Sequence, residues 1–144
     1  MVSANKQEPK SFMEMLEEIL IEKYGKIIVE LGGNPRNYHE IADANGFTSL
    51  TGPCGDTVKI WIRAVGDTIE DIGFRTDGCD CTRATGSMLT EMVKGKKIEE
   101  ALRITPQELD EALGGLPEDH KHCALLARNA LHEAIENYSE NKAG

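Results

Sequence analysis

Thr57-Val58-Lys59-Ile60-Trp61-Ile62-Arg63-Ala64-Val65, Gly66-Asp67, then Thr68-Ile69-Glu70-Asp71-Ile72-Gly73-Phe74-Arg75-Thr76 is the stretch that decides the fold. Val58, Ile60, Ile62 and Ala64 alternate with Lys59, Trp61 and Arg63, the period of a strand with one face buried. Gly66-Asp67 supplies a turn, and Ile72 and Phe74 continue at strand spacing, so a hairpin of 57–65 with 68–76 is expected. Phe47 to Thr51 adds a third strand. Most of the remaining sequence carries helical patterning, which predicts an α+β fold: a small three-stranded antiparallel sheet packed against several helices in one compact domain. At 144 residues the chain is long enough to bury a core without disulfide staples.

The two ends of that hairpin carry the chemistry. Gly52-Pro53-Cys54-Gly55-Asp56 leads into its first strand, and Gly78-Cys79-Asp80-Cys81 follows its second. Pairing the strands brings these segments together. The third cysteine-bearing place is His122-Cys123, at the head of a helix expected over about 119–138, and with it all four cysteines of the chain are accounted for. Cys54, Asp56, Cys79, Cys81, His122 and Cys123 are more ligands than one tetrahedral ion needs, and the paired C-x-x-C spacing of a structural zinc is missing. An excess of ligands of mixed softness suits a centre that exchanges ligands: thiolates favour zinc and iron–sulfur chemistry, and a carboxylate is the harder, more weakly held donor. A helix expected over about 81–94 begins beside Cys79 and Cys81, and its N-terminal dipole is expected to lower their thiol pKa values. The apolar face assigned to that helix is Ala84, Met88 and Met92, flanked by Thr85 and Leu89.

Elsewhere, residues 1–10 read as a loose polar arm. A helix is expected over about 11–24, with a packing stripe of Phe12, Met15, Leu16, Ile19 and Leu20. Ile27 to Leu31 is apolar but short, Asn34-Pro35-Arg36-Asn37 is turn chemistry, and His39 reads as a solvated loop residue. Lys94-Gly95-Lys96-Lys97 reads as an exposed joint before a short helix over 98–103. Thr105-Pro106-Gln107-Glu108 is a capping box that opens another. In the last helix Cys123, Ala127, Ala130, Leu131, Ala134 and Tyr138 form a small-residue packing face, and His132 is given no role. Sixteen basic against twenty-five acidic side chains, a net charge of −9, argue against nucleic-acid or anionic-membrane partners. A polar N-terminus and the lack of any span-length apolar run point to a cytoplasmic protein, where clustered cysteines bind metal or react rather than pair.

Asn34-Pro35-Arg36-Asn37, Cys54-Gly55-Asp56, Gly78-Cys79, Ser87-Met88-Leu89-Thr90-Glu91, Lys94-Gly95-Lys96 and Leu116-Pro117 leading to His122-Cys123-Ala124 together resemble the IscU/NifU-type iron–sulfur cluster assembly scaffolds, in order and spacing, from about residue 20 to 138. The resemblance implies a scaffold, not an enzyme. On it a [2Fe-2S] cluster is built from iron and sulfur delivered by a cysteine desulfurase, then passed to recipient apoproteins. It implies Cys54, Cys79 and Cys123 as the three cluster cysteines, Asp56 as the site aspartate, His122 as the histidine, and Zn2+ on the same ligands in the cluster-free form. Cys123 is the implied sulfur acceptor, and a homo-oligomer is left open for the cluster-bound form.

Three features depart from the family. Asp80-Cys81-Thr82-Arg83 replaces its usual small residues, which makes Cys81 an additional thiol at the rim of the site, as a fourth ligand, a persulfide holder or an incidental free thiol. Leu116-Pro117-Glu118-Asp119-His120 lacks the second proline and the lysine read by an Hsp70-type chaperone, leaving that partner doubtful. The first helix is longer than the family's usual start, with covering the sheet or self-association as its two readings. Two other classes compete: a zinc-dependent sulfurtransferase relaying persulfide, whose relatives generally lack a histidine at the position of His122, and a plain structural-zinc or thiol-redox domain, which leaves Asp56 and His122 unexplained.

Overall fold

The computed structural model describes residues 11–143, so the polar arm expected over 1–10 lies outside the described residues. Strands β1 (Gly46–Thr51), β2 (Thr57–Val65) and β3 (Thr68–Thr76) form one antiparallel sheet in the order β1-β2-β3. The expected hairpin is present with the expected boundaries. Val58, Ile60, Ile62 and Ala64 from β2 and Ile69, Ile72 and Phe74 from β3 are buried on one face. The strict alternation does not run the full length of the pair. The register shifts between Arg63 and Ala64, so that Ile62 faces Ile72 but Ala64 faces Ile69, and this bulge keeps Ile69 in phase with the core.

Helices α1 (Phe12–Tyr24) and α2 (Lys26–Gly33) precede the sheet; α3 (Asp80–Val93), α4 (Ile98–Leu102), α5 (Pro106–Ala112) and α6 (His122–Ala143) follow it. The short apolar run 27–31 is thus a helix, separated from α1 by Gly25 alone, and Ile28 on it is fully buried. The last helix differs from expectation at both ends. Glu118–His120 is a separate 3-10 turn, and α6 starts at His122 and continues to Ala143. Its buried face is the expected one, with Cys123, Ala127, Ala130, Leu131, Ala134 and Tyr138 all in the core. These small side chains let α6 lie close on β1 and β2. At the outer edge of β1, Asn137 of α6 accepts from the Phe47 amide at 2.9 Å, and Glu133 accepts from the Thr48 hydroxyl at 2.9 Å.

The opposite sheet edge is closed by the joint after α3. The Ile69 amide donates to the Lys96 carbonyl at 2.9 Å and the Gly95 amide donates to the Ile69 carbonyl at 2.8 Å, so both edges of this small sheet are covered. The Asn34-Pro35-Arg36-Asn37 turn is docked on α3 by polar contacts. The Arg36 amide donates to Ser87 Oγ at 3.0 Å, Asn37 Nδ2 donates to Thr90 Oγ1 at 2.9 Å, and Arg36 pairs with Glu91 at 3.0 Å. The Asn37 amide and the Arg36 guanidinium hold the Glu91 carboxyl below its ordinary pKa.

One expectation about packing faces fails and another proves too narrow. The stripe on α1 stays largely unburied: Phe12, Met15, Leu16 and Ile19 are exposed, Leu20 is half-buried, and α1 has no buried residue. Its neighbour is α2, so α1 does not cover the sheet. On α3 the buried side is wider than the nominated stripe. Thr82, Thr85, Gly86, Ser87, Leu89, Thr90 and Val93 are buried, while Met88 and Met92 are half-buried. The helix is packed between α2, β3 and α6, and small or hydroxylated residues permit that close approach. Two of the hydroxyls bond back to the helix, Thr85 Oγ1 to the Cys81 carbonyl at 2.6 Å and Thr90 Oγ1 to the Ser87 carbonyl at 2.9 Å.

Gly86 marks the tightest point of this packing, because a Cβ there would lie 2.3 Å from Phe74 Cε2, a ring that is itself fully buried. Gly86→Ala gains helix propensity of about 1 kcal/mol but overpacks a closed core at about 1–3 kcal/mol. The expected net result is destabilisation, read as a lower urea midpoint than wild type; an unchanged or higher midpoint contradicts the close contact.

Candidate metal centre

Five residues, Gly52 to Asp56, join β1 to β2. The loop is closed by the Gly52 amide donating to the Asp56 carbonyl at 2.8 Å and the Gly55 amide donating to the Gly52 carbonyl at 3.0 Å. Cys54 is exposed in it. Beyond the far end of the hairpin, the Asp77 carboxylate accepts from the Thr57 amide at 2.8 Å and binds the two hairpin ends together. Gly78 is required by space: a Cβ on it would meet Thr82 Oγ1 at 2.7 Å and Asp56 Oδ2 at 2.9 Å. Cys79 is the exposed N-cap residue of α3. Arg83, one turn into α3, fixes the approach to that helix by donating to the Gly78 carbonyl at 3.1 Å and the Gly32 carbonyl at 2.9 Å, and by pairing with Asp80.

All six residues nominated from the sequence fall in this region, and Thr82 sits among them. Its hydroxyl donates to Asp56 Oδ2 at 3.1 Å and lies 3.5 Å from Cys123 Sγ and 3.8 Å from Cys79 Sγ. His122, at the start of α6, places Nε2 3.1 Å from Cys54 Sγ and 3.9 Å from Cys123 Sγ. Adjacent positions diverge by about 100° on a helix, so His122 and Cys123 converge here because they occupy the first turn. The site is an open edge. A cavity of about 420 Å³ lies next to it, lined by Tyr38, Thr57, Lys59, Arg75, Thr76 and Asp77.

The Cys81 thiol is not at the rim but inside, at 2 % exposure. Burial pushes it up to about 12, with the neighbouring Cys79 and Cys123 adding to the shift. The expected lowering by the helix N-terminus is therefore overturned at Cys81, where desolvation outweighs the helix dipole. Cys123 is buried too, and burial pushes its thiol up to about 11 although the Thr82 hydroxyl acts in the other direction. Two residues were missed in the sequence. Thr82 is three positions along the helix from Cys79, the spacing at which helical side chains meet. His120 places Nδ1 3.8 Å from Cys79 Sγ and stacks at 6.3 Å on His122; the His120-Lys121-His122-Cys123 run was its signal.

The raised thiols have a sign for stability. An unfolded chain ionises these thiols near the ordinary 9.0, while folded Cys81 keeps its proton to about 12. Their contribution is thus complete below about pH 9 and is lost as pH rises toward 12. Urea unfolding of the metal-free chain at about pH 7 and about pH 10 is expected to show this loss, and Cys81→Ala to reduce it; an equal loss in both proteins contradicts the assignment.

Comparison with known proteins follows the same outline. The family model described as the NifU-like N terminal domain matches residues 23–143. The iron-sulfur cluster assembly scaffold protein IscU 1 of Archaeoglobus fulgidus is 52% identical over 106 residues, covering 73% of this chain and 69% of that one. The scaffold protein IscU of Aquifex aeolicus is 43% identical over 119 residues, covering 81% and 76%. Among solved structures, the N-terminal part of a NifU-like protein from Brucella abortus superimposes with a TM-score of 0.67 over 85% of this chain and 98% of its own, at 18% identity, which speaks for the fold. With the matched segment spanning the sheet, α2 through α6 and every nominated ligand, the chain belongs to the family of NifU-like N-terminal domains.

Proposed function

We propose that this chain is a scaffold on which an iron–sulfur cluster, of the [2Fe-2S] type, is assembled from iron and desulfurase-derived sulfur and then released to apoproteins. The observation that carries it is the convergence of Asp56, Cys79 and Cys123 around the Thr82 hydroxyl, with His122 linking Cys123 to Cys54, at an open edge. The relatives named as cluster assembly scaffolds support the same reading. The cluster is cargo, so its ligands must both hold it and let it go.

The donor set fits that requirement. Cys54 and Cys79 are exposed, where iron and sulfur arrive, and Cys123 is buried behind them. Cys123 acts as sulfur acceptor in this proposal, and the His122 imidazole between it and Cys54 must swing aside to admit the donor. Metal displaces the proton of each thiol it binds, which offsets the burial that keeps Cys123 protonated. Asp56 is the weak link: a hard carboxylate already shared with Thr82, it gives up a soft iron centre more readily than a thiolate does. In the cluster-free form Zn2+ suits the same mixed sulfur, nitrogen and oxygen donors.

The partners of this reading are a cysteine desulfurase and recipient apoproteins, in a reducing compartment such as the cytoplasm. Among the described residues no helix is long and apolar enough to cross a membrane. Leu116, in the segment considered for an Hsp70-type chaperone, is 3% exposed and its amide donates to Asp110 Oδ1 at 2.7 Å, so that partner is left out.

Anaerobic reconstitution with iron and sulfide is expected to give sulfur-to-iron charge-transfer bands in the wild type, and at least a tenfold lower yield in Cys54→Ser, Cys79→Ser or Cys123→Ser. A chain that takes no cluster, yet carries persulfide on one cysteine with zinc retained, is instead the sulfurtransferase. Asp56→Ala should hold its cluster several-fold longer and pass it to an apo-ferredoxin more slowly; faster cluster loss overturns the assignment of Asp56 as the labile ligand.

A further inference from the structure

One group of ligand atoms is already assembled for an ion, and it is not the set implied by the family. Cys79 Sγ, Cys81 Sγ and a ring nitrogen of His120 all lie within 4.8 Å of one another. A tetrahedral zinc with bonds of about 2.3 Å to sulfur and about 2.0 Å to nitrogen separates its ligands by roughly 3.5–3.8 Å. The Cys79 Sγ to His120 Nδ1 separation is 3.8 Å, so the triangle needs only small side-chain adjustments to close on an ion.

The three residues come from rigid places. Cys79 and Cys81 flank the first position of α3, and His120 ends the 3-10 turn before α6. His120 already faces its would-be neighbour: its Nδ1 lies 3.8 Å from Cys79 Sγ, and the Tyr24 ring meets it edge-on at 6.3 Å. Two sulfurs and one imidazole select a borderline-soft divalent ion over Mg2+ or Ca2+. Three protein ligands, with Cys79 exposed, leave a fourth position for water.

We propose that Cys79, Cys81 and His120 form a second, mononuclear site for a divalent ion of the zinc class. Because Cys79 belongs to both ligand sets, an ion seated here withdraws it from the assembly site, and occupancy of the two is mutually restrained. Zinc binding stands on the geometry alone, whereas the restraint on assembly rests on the scaffold reading.

The test begins with Cys54→Ala/His122→Ala, which cripples the other ligand set and keeps these three residues. Titrated with Zn2+ against a chromophoric chelator under reducing conditions, it is expected to bind one equivalent, with two sulfurs around zinc by X-ray absorption. Adding His120→Ala or Cys81→Ala to that background should weaken binding by at least about tenfold. His120 is the safer variant because its side chain is partly exposed. No zinc bound by the double variant, or binding indifferent to both additions, overturns the site. In the wild type, one equivalent of Zn2+ added before iron and sulfide should slow assembly several-fold, and Cys81→Ala should relieve this. Assembly indifferent to bound zinc overturns the sharing of Cys79. A wild type that assembles no cluster even without zinc refutes the scaffold reading and leaves the zinc-binding result to be judged separately.

Discussion

The pairing of β2 with β3 is the constraint on which the rest depends. Its last rung sets Val58 opposite Thr76, so the two residues on either side of the ladder's end, Asp56 and Gly78, must meet. They do so without a side chain on Gly78, and the Thr57 amide bonded to Asp77 keeps the strands from splaying. A slip of β2 by one residue would invert its faces, removing Ile60 and Ile62 from the core and shifting Cys54 relative to Cys79 at the same time. Core burial and the convergence of the ligands are therefore one register, enforced by the same hydrophobic contacts.

Around that register the helices divide the labour. α6 is long and carries alanines where it crosses the sheet, so its first turn is held firmly at the height of the β1–β2 loop and delivers His122 and Cys123 there. α3 starts where β3 ends and has no freedom to drift, being packed against α2, β3 and α6. The thiols it and α6 supply differ in setting. Cys54 and Cys79 meet solvent while Cys81 and Cys123 do not, which gives the centre a wet side and a dry side.

Much of this was legible in the sequence, and the failures have physical causes. The hairpin was legible because period-two alternation in Val58 to Ala64 admits one register, and the ligands were legible because all four cysteines flank turns or helix starts. The bulge at Arg63/Ala64 leaves no mark in composition. α2 was missed because eight residues beginning after Gly25 and ending in Gly32-Gly33 are too short to show a period. The stripe on α1 was read as packed because amphipathicity reports a preferred face, not whether the chain supplies a surface for it; Phe12 and Ile19 stay in water here. Cys81 was placed at the rim because helix position was weighed without burial. His120 and Thr82 were missed because each gains its meaning from a neighbour distant in sequence, Cys79 at 3.8 Å for one and Asp56 at 3.1 Å for the other.

Thr82 carries a single hydroxyl proton, yet three potential ligands crowd its oxygen: Asp56, Cys79 and Cys123. That proton serves one of them at a time: donated to Asp56 it leaves the sulfurs facing only lone pairs, and donated to Cys123 it favours the thiolate. Were the Asp56 carboxylate to ligate a metal, the hydroxyl would be released to donate to an anionic sulfur. A change on the exposed side would then reach the buried sulfur through rotation about the Thr82 Cβ–Oγ1 bond, with the oxygen and the backbone stationary. A residue of the same shape without the hydroxyl would remove the one proton that Asp56 and Cys123 share.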